Sequence, residues 1–244
     1  MIGGSKKSGE STTSKKLAIS PDSDLIVGPA DLRPGDVLLF RPRKTNRIQS
    51  SIARATGSPY THAAIYLGDG MIAESVVRRG VSSSALRDLI DSSLCVAVLR
   101  SSMGFGDERV RKLMAFVTSV LGNRKFYNFV SALSFGKRSA EHFETQLDFI
   151  RQNYGKVISE QEFAKKSFFC SAFVVACFAV VGIIGETAQV AYQPDYFSPR
   201  HLGEDPTFGW LLGFLVPEGG AVPDDDPLPS QATLWRDCQD VRWW

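Results

Sequence analysis

Residues 58–70 read SPYTHAAIYLGDG, a pattern that predicts a β-strand carrying His62 and ending in a tight turn. The glycines of Gly68-Asp69-Gly70 permit the positive backbone angles that such a turn requires. A second strand is predicted over residues 71–77, so that the two strands form a β-hairpin. A strand fixes the direction of a side chain better than a loop does. His62 is therefore a candidate for chemistry that needs an oriented imidazole.

A second informative segment, residues 167–173, reads SFFCSAF and places Cys170 where an apolar helix begins. A free cysteine, with a pKa of about 8.5, is only weakly nucleophilic at neutral pH. Exposed amides and the dipole at a helix N-terminus stabilise a thiolate, and the same amides can hold the oxyanion of a tetrahedral intermediate. The two segments thus predict a thiol nucleophile, Cys170, with His62 as its general base.

The second ring nitrogen of such a histidine needs an acceptor, and Glu74 on the second strand is the candidate. The assignment depends on the hairpin register, because side chains alternate across a strand. With a three-residue loop, 68–70, His62 opposes Val76 and Glu74 lies diagonally adjacent on the same face. With a two-residue loop, Asp69-Gly70, Ser75 takes that place. We favour the first register.

Other histidines and cysteines offer weaker pairings. His201 follows Cys170 by 31 residues and is a rival base, whereas His142 lies in a charged segment typical of a solvent-facing helix. Cys95 followed by His142 has the chain order of papain-like enzymes, but Cys95 lies mid-strand without a helix terminus to activate it. Cys177, within the apolar helix, is typical of an inert core thiol.

The composition excludes several classes of function. The 244 residues carry a formal net charge of +2, so no overall field attracts nucleic acid. The four cysteines and three histidines are scattered, and we expect no metal site, no cofactor and no disulfide scaffold. Because no apolar stretch follows the N-terminal lysines, we expect a cytoplasmic protein or one exported without a cleavable signal peptide.

Strand patterns precede helical ones along the chain, which predicts an α+β fold. Residues 1–30, rich in Ser, Lys and Gly, are predicted to be disordered. Residues 31–216 form the predicted domain, with a helical insert at about 104–167, and residues 217–244 a loosely ordered tail rich in Gly, Pro and Asp.

The apolar run from Phe168 to Ile184 has two interpretations. It is close to the length of a membrane span, but spans need roughly 20 apolar residues, and this run includes Ser171 and Gly182. A buried core helix is the preferred interpretation. A membrane span is the second interpretation, and peripheral contact with a membrane is a candidate interaction.

Together the motifs resemble a family, the circularly permuted branch of the NlpC-type papain-like hydrolases and especially its YiiX-like group. In that branch the histidine strand precedes the cysteine helix, as it does here. The similar stretches are residues 34–40, residues 61–68 with Glu74 following, residues 169–171, and residues 197–199 downstream. The resemblance implies a papain-like antiparallel sheet packed on the helix that carries the nucleophile. It also implies Cys170 as nucleophile, His62 as base and Glu74 as the residue that orients His62.

We therefore expect a cysteine-dependent hydrolase or acyltransferase acting through a thioester acyl-enzyme. The long apolar helix and the aromatic residues outside the motifs favour a lipid ester or amide slightly; these aromatics are Phe126, Tyr127, Phe129, Trp243 and Trp244. A peptidoglycan amidase or endopeptidase is the alternative substrate class. The rival from another class is a non-catalytic binding or membrane-associated module, in which Cys170 is an inert thiol.

Overall fold

The computed structural model describes residues 25–76, 79–121, 169–189, 191–192 and 194–238, and these form a mixed α+β structure. Its centre is an antiparallel six-stranded sheet with strand order β4-β3-β2-β1-β5-β6. The strands are β1 (Val37–Pro42), β2 (His62–Gly68), β3 (Met71–Val76), β4 (Gly80–Ala85), β5 (Ser93–Arg100) and β6 (Trp210–Leu215). The predicted α+β class is confirmed.

The described residues also form seven α-helices. They are α1 (Arg47–Thr56), α2 (Leu86–Ser92), α3 (Asp107–Leu121), α4 (Cys170–Val180), α5 (Pro199–Glu204), α6 (Leu228–Gln231) and α7 (Trp235–Cys238). Short 3₁₀ turns occur at Pro29–Asp31, Glu186–Ala188 and Pro194–Tyr196. The two longest of these helices, α3 and α4, contribute most of the helical apolar residues of the core.

Helix α4 is the centre of the main core. Every residue from Cys170 to Ala179 is buried, and the helix is apolar on all sides, which is typical of a helix covered by protein all round. It packs on β2 and β3 through a cluster that includes Ala63, Ile65 and Ala73. In the described part of the chain, no helix has both the length and the apolarity that crossing a membrane requires.

Helix α3 lies at the start of the predicted insert, yet it belongs to the core. Its buried residues Leu113, Phe116 and Val117 join the same cluster as α4, and the Phe116 ring stacks on Phe173 at 6.2 Å. Residues 107–121 are therefore an integral part of the fold. Residues 122–168, with the helices predicted at 140–154 and 160–166 and the aromatics Phe126, Tyr127 and Phe129, lie outside the described residues.

The N-terminal boundary of the domain differs from the expectation. Leu25 is buried in the main core, and the Val27 amide donates a hydrogen bond of 3.0 Å to the Phe214 carbonyl on β6. The folded part therefore includes residues upstream of 31. The reason is that this short apolar segment pairs with a strand almost 190 residues later, a contact that local composition does not reveal.

The expectation of a loosely ordered tail is corrected for residues 217–238. Val222 and Leu228 are buried in the main core. The acidic run at 224–226, which looks solvated in the sequence, supplies Asp226 as a buried partner for Arg41 and for the Tyr60 hydroxyl, at 3.2 and 2.9 Å. Trp243 and Trp244 lie outside the described residues.

Candidate active site

His62 is the first residue of β2, which is an interior strand of the sheet. The strand is paired there, because the preceding Thr61 amide donates a hydrogen bond of 3.2 Å to the Phe40 carbonyl on β1. The imidazole lies 5.5 Å from the Phe40 ring, centre to centre, and 21% of the side chain is exposed. His62 is thus held by a strand and a neighbouring ring, while part of it reaches the surface.

Glu74 lies on β3, diagonal to His62. The strands reach Gly68 and Met71, so the connection is the two-residue turn Asp69-Gly70, with φ of 51° and 71°. A bulge between Tyr66 and Gly68 nevertheless absorbs one residue and sets Ala64 opposite Glu74. The favoured register is therefore correct, although a bulge rather than a longer loop produces it.

The His62 imidazole and the Glu74 carboxylate form a short ion pair. Nε2 of His62 donates to Oε2 of Glu74 at 2.6 Å, and only 6% of the Glu74 side chain is exposed. Since Nε2 is engaged, Nδ1 is the ring nitrogen left to exchange a proton with another group.

Cys170 is the first residue of α4, as expected. Phe169 is the N-cap in an extended conformation, and the first intrahelical hydrogen bond runs from the Phe173 amide to the Phe169 carbonyl at 3.0 Å. The helix itself supplies no acceptor for the amides of residues 170–172. The Cys170 thiol lies close enough to the His62 imidazole to contribute to the raised pKa of that imidazole. The structure thus brings the three predicted residues together in the order Cys170, His62, Glu74.

The electrostatics of this row favour a charged imidazole. Burial opposes protonation of His62, but hydrogen bonds and charges from Cys170 and Glu74 outweigh it and raise its pKa to about 10. Burial also disfavours the charged form of Glu74, yet the hydrogen bond and charge of His62 leave its pKa below the usual 4.5. At neutral pH the pair is therefore an imidazolium and a carboxylate.

Ser84 is a fourth member of the row that sequence reasoning missed. Its Oγ donates a hydrogen bond of 2.6 Å to Oε1 of Glu74, so both carboxylate oxygens are held. Ser84 lies on β4, whose sequence GVSSSA has few apolar residues and gives no clear strand pattern. The run of three consecutive serines, residues 82–84, is the one signal in the sequence that could have found it.

The rival residues lie elsewhere. His201 is part of the cap of its own helix. Its backbone amide donates a hydrogen bond to Ser198 Oγ at 3.3 Å, and its Nδ1 accepts one from the Ser198 amide at 3.4 Å.

Cys95 is buried mid-strand, where burial and then the charge of Asp226 raise its pKa to about 12. Burial raises the pKa of Cys177 well above the usual value. His142 lies outside the described residues.

The His62–Glu74 pair makes stability depend on pH. The contribution from His62 is complete below its usual pKa of 6.5 and is lost as the pH rises through about 10. The contribution from Glu74 is complete above its usual pKa of 4.5 and is lost in acid. We expect the melting temperature of Glu74→Gln to lie furthest below that of the native protein near pH 5.5 and to approach it by pH 10.5. A gap that stays constant in thermal melts across this range would contradict the pairing.

Comparison with known proteins gives weak structural similarity and no match in sequence. No protein-family model matches the chain, and no curated protein matches it. Among solved structures, the chain is similar to the metalloprotein YiiX of Escherichia coli O157:H7, with 18% identity, 82% of this chain and 94% of that chain covered, and a TM-score of 0.40. Within the described residues of this chain, no group of three or more His, Cys, Asp or Glu side chains is arranged to hold a metal ion.

Proposed function

We propose that this chain is a cysteine-dependent hydrolase or acyltransferase on a permuted papain-like fold, with Cys170 as nucleophile, His62 as base and acid, and Glu74 as the residue that orients His62. The observation that carries the proposal is the row itself. One imidazole forms a 2.6 Å hydrogen bond with a carboxylate and lies close enough to a thiol at a helix N-terminus for the thiol to raise its pKa. This arrangement is how a thiol nucleophile is activated and its base oriented.

The proposed reaction proceeds in two steps. The Cys170 sulfur attacks the carbonyl carbon of an ester or amide, and the backbone amides at the start of α4 bind the oxyanion. His62 gives its proton to the leaving alcohol or amine, and a thioester remains on Cys170. Water or an acceptor alcohol or amine then gives a proton to His62 and attacks the thioester, which releases the acyl product and restores the Cys170 thiolate beside a protonated His62.

For the substrate we favour a lipid ester or amide slightly, with a peptidoglycan peptide as the alternative. The preference rests on the aromatic residues that the sequence carries outside the motifs, because the apolar helix α4 is buried in the core. Assays on phospholipid vesicles and on purified peptidoglycan separate the two classes. Cleavage of peptidoglycan together with inert vesicles would exclude the lipid preference.

A non-catalytic binding module is the second candidate, and the burial of the thiol favours it. Only 2% of the Cys170 surface is exposed, and a nucleophile must be reached by its substrate. In this alternative Cys170 is a core residue that happens to contact His62. The reactivity of the thiol distinguishes the two candidates.

The test of the proposal is alkylation by iodoacetamide as a function of pH, resolved cysteine by cysteine with peptide mass spectrometry. The proposal predicts that Cys170 is alkylated faster below pH 7 than the other described cysteines, because a nucleophile with its base beside it is the activated one. Cys95 and Cys177 are internal controls, since burial disfavours their thiolates.

The matched variant is His62→Ala, in which Cys170 should lose its rapid alkylation at low pH. If Cys170 in the native protein reacts no faster than Cys95 and Cys177, the thiolate pair does not exist and the binding module becomes the better proposal.

Ser84 gives a more specific prediction about how Glu74 is held. In Ser84→Ala the carboxylate loses its 2.6 Å hydrogen bond, and because bonds to charged groups are worth about 1.5–3 kcal/mol, we expect kcat to fall by about tenfold with little change in KM. Ser82→Ala on the same strand is the control, because the buried Ser82 hydroxyl has no hydrogen-bond partner among the residues that the structure describes. Equal kcat values for the two variants would show that Ser84 does not position Glu74.

A further inference from the structure

A cavity of about 460 Å³ lies beside α5, outside the row of Cys170, His62 and Glu74. Its walls combine aromatic rings with acidic side chains; the lining includes Tyr192, Phe197, His201, Glu204 and Asp205. Cavities of this size accept small organic groups, and a few polar groups on mostly apolar walls usually determine which group fits.

The aromatic wall of the cavity is joined to the helix that carries the nucleophile. Ser171, the residue after Cys170, donates a buried hydrogen bond of 2.7 Å to the carbonyl of Phe197. The Phe197 ring lies 5.6 Å from Phe208, which lies 5.1 Å from Phe178 on the same helix. The position of this wall is therefore fixed relative to the start of α4.

The charges on the cavity are mainly negative. Glu204 and Asp205 are both in the lining, and Arg200, which pairs with Glu204 at 2.6 Å, balances one of them. Burial lowers the pKa of His201 below its usual 6.5, so this imidazole is uncharged at neutral pH. The cavity therefore favours a cation over an anion.

The aromatic rings define which kind of cation fits. Tyr192 stacks on Phe197 at 5.5 Å with an interplanar angle of 14°, and Tyr192 is only partly buried. A partly exposed aromatic ring beside carboxylates attracts an ammonium group by a cation–π interaction as well as by charge. This combination is typical of sites for quaternary ammonium groups.

We propose that this cavity binds an organic ammonium group of the substrate, preferentially a quaternary one, while the acyl carbonyl lies at Cys170. The proposal rests on the proposed function for its placement relative to the reaction. The quaternary form is preferred because its methyl groups fit against the aromatic rings. One oxygen of each carboxylate already has a donor, since Asp205 Oδ1 accepts from the Thr207 amide at 2.9 Å and Glu204 Oε1 accepts from Arg200, which leaves fewer acceptors for a primary ammonium group. A primary ammonium group needs such acceptors, whereas a quaternary one does not.

The test measures binding to the full-length Cys170→Ala protein, so that turnover plays no part. The probes are tetramethylammonium, its uncharged analogue tert-butanol, and methylammonium, each titrated by NMR with isothermal calorimetry as a second readout. We expect tetramethylammonium to bind at least about tenfold more tightly than tert-butanol and more tightly than methylammonium.

Variants of the lining assign the binding to this cavity. Asp205→Asn and Tyr192→Leu should each weaken tetramethylammonium binding by about tenfold. Asp225→Asn is the matched control for Asp205→Asn, since Asp225 is an exposed aspartate outside the cavity lining, and it should bind tetramethylammonium normally. If Tyr192→Leu does not fold, as judged by its thermal melt, Asp205→Asn still decides the question.

Two results would overturn the proposal. One is equal affinity for tetramethylammonium and tert-butanol, and the other is binding that neither Asp205→Asn nor Tyr192→Leu weakens. Tighter binding of methylammonium would overturn the preference for a quaternary group. These outcomes do not depend on thiol reactivity: an unreactive Cys170 with intact tetramethylammonium binding would contradict the proposed reaction and leave the cation site standing.

Discussion

Cys170→Ala should lower the rate of acyl transfer by at least about 10³-fold, because the variant lacks the atom that forms the thioester. His62→Ala should cost a comparable factor, since a nucleophile and its base act as one unit and their effects are not additive. The double variant should therefore be scarcely slower than either single one. The measurement is initial rates on p-nitrophenyl esters, phospholipid vesicles and peptidoglycan fragments, with mass spectrometry to detect an acylated Cys170 in the native protein.

Cys177→Ala is the matched control for this experiment. Cys177 lies seven residues further along the same helix and is also buried, so the same sulfur is removed from the same element without touching His62. We expect it to keep the native rate with a small loss of stability. If Cys170→Ala retains activity on a substrate that the native protein turns over, Cys170 is not the nucleophile.

The parts of the site that could be predicted from sequence are those with local signals. A short apolar run that ends in a glycine turn identifies the His62 hairpin, and a longer continuous apolar run places Cys170 at a helix start. Glu74 could be identified only from the register of the hairpin. The predicted register is correct because of a bulge at residues 66–68, and no sequence pattern indicates that bulge.

The contacts that could not be predicted are mostly long-range pairings. The Ser84 hydroxyl reaches Glu74 only because β4 continues the sheet, and the sequence of β4 has little apolar character. Asp226 pairs with Arg41 across 185 residues of chain, and a run of three aspartates gives no indication of which one is buried. The charge and composition of a segment describe the segment as a whole. They do not indicate which single residue in it has a specific partner elsewhere in the fold.

The buried carboxylate of Asp226 connects the C-terminal segment to the sheet. Its Oδ2 accepts hydrogen bonds from the Tyr60 hydroxyl at 2.9 Å and from Arg41 at 3.2 Å. Its Oδ1 accepts from the Leu228 amide at 3.1 Å, which holds the start of α6. Only 1% of the Asp226 side chain is exposed, compared with 78% for the neighbouring Asp225.

Asp226→Ala should therefore lower the free energy of unfolding by about 3 kcal/mol, near the lower end of the range for a broken buried ion pair, because Arg41 keeps its 2.8 Å contact with Asp225. The buried Tyr60 hydroxyl loses its carboxylate partner, which adds to the cost. For a protein of this size the loss corresponds to a fall in melting temperature of about 6–12 °C.

Asp225→Ala is the control, because an exposed ion pair contributes at most about 1 kcal/mol. Urea and thermal unfolding of both variants measure the difference. If Asp226→Ala and Asp225→Ala have the same unfolding midpoints, the C-terminal segment is not part of the cooperative fold. Arg41 and the Tyr60 hydroxyl must then have other hydrogen-bond partners. A large gap between two adjacent aspartates of opposite burial would instead show that residues 217–238 contribute to the same core that positions the start of α4.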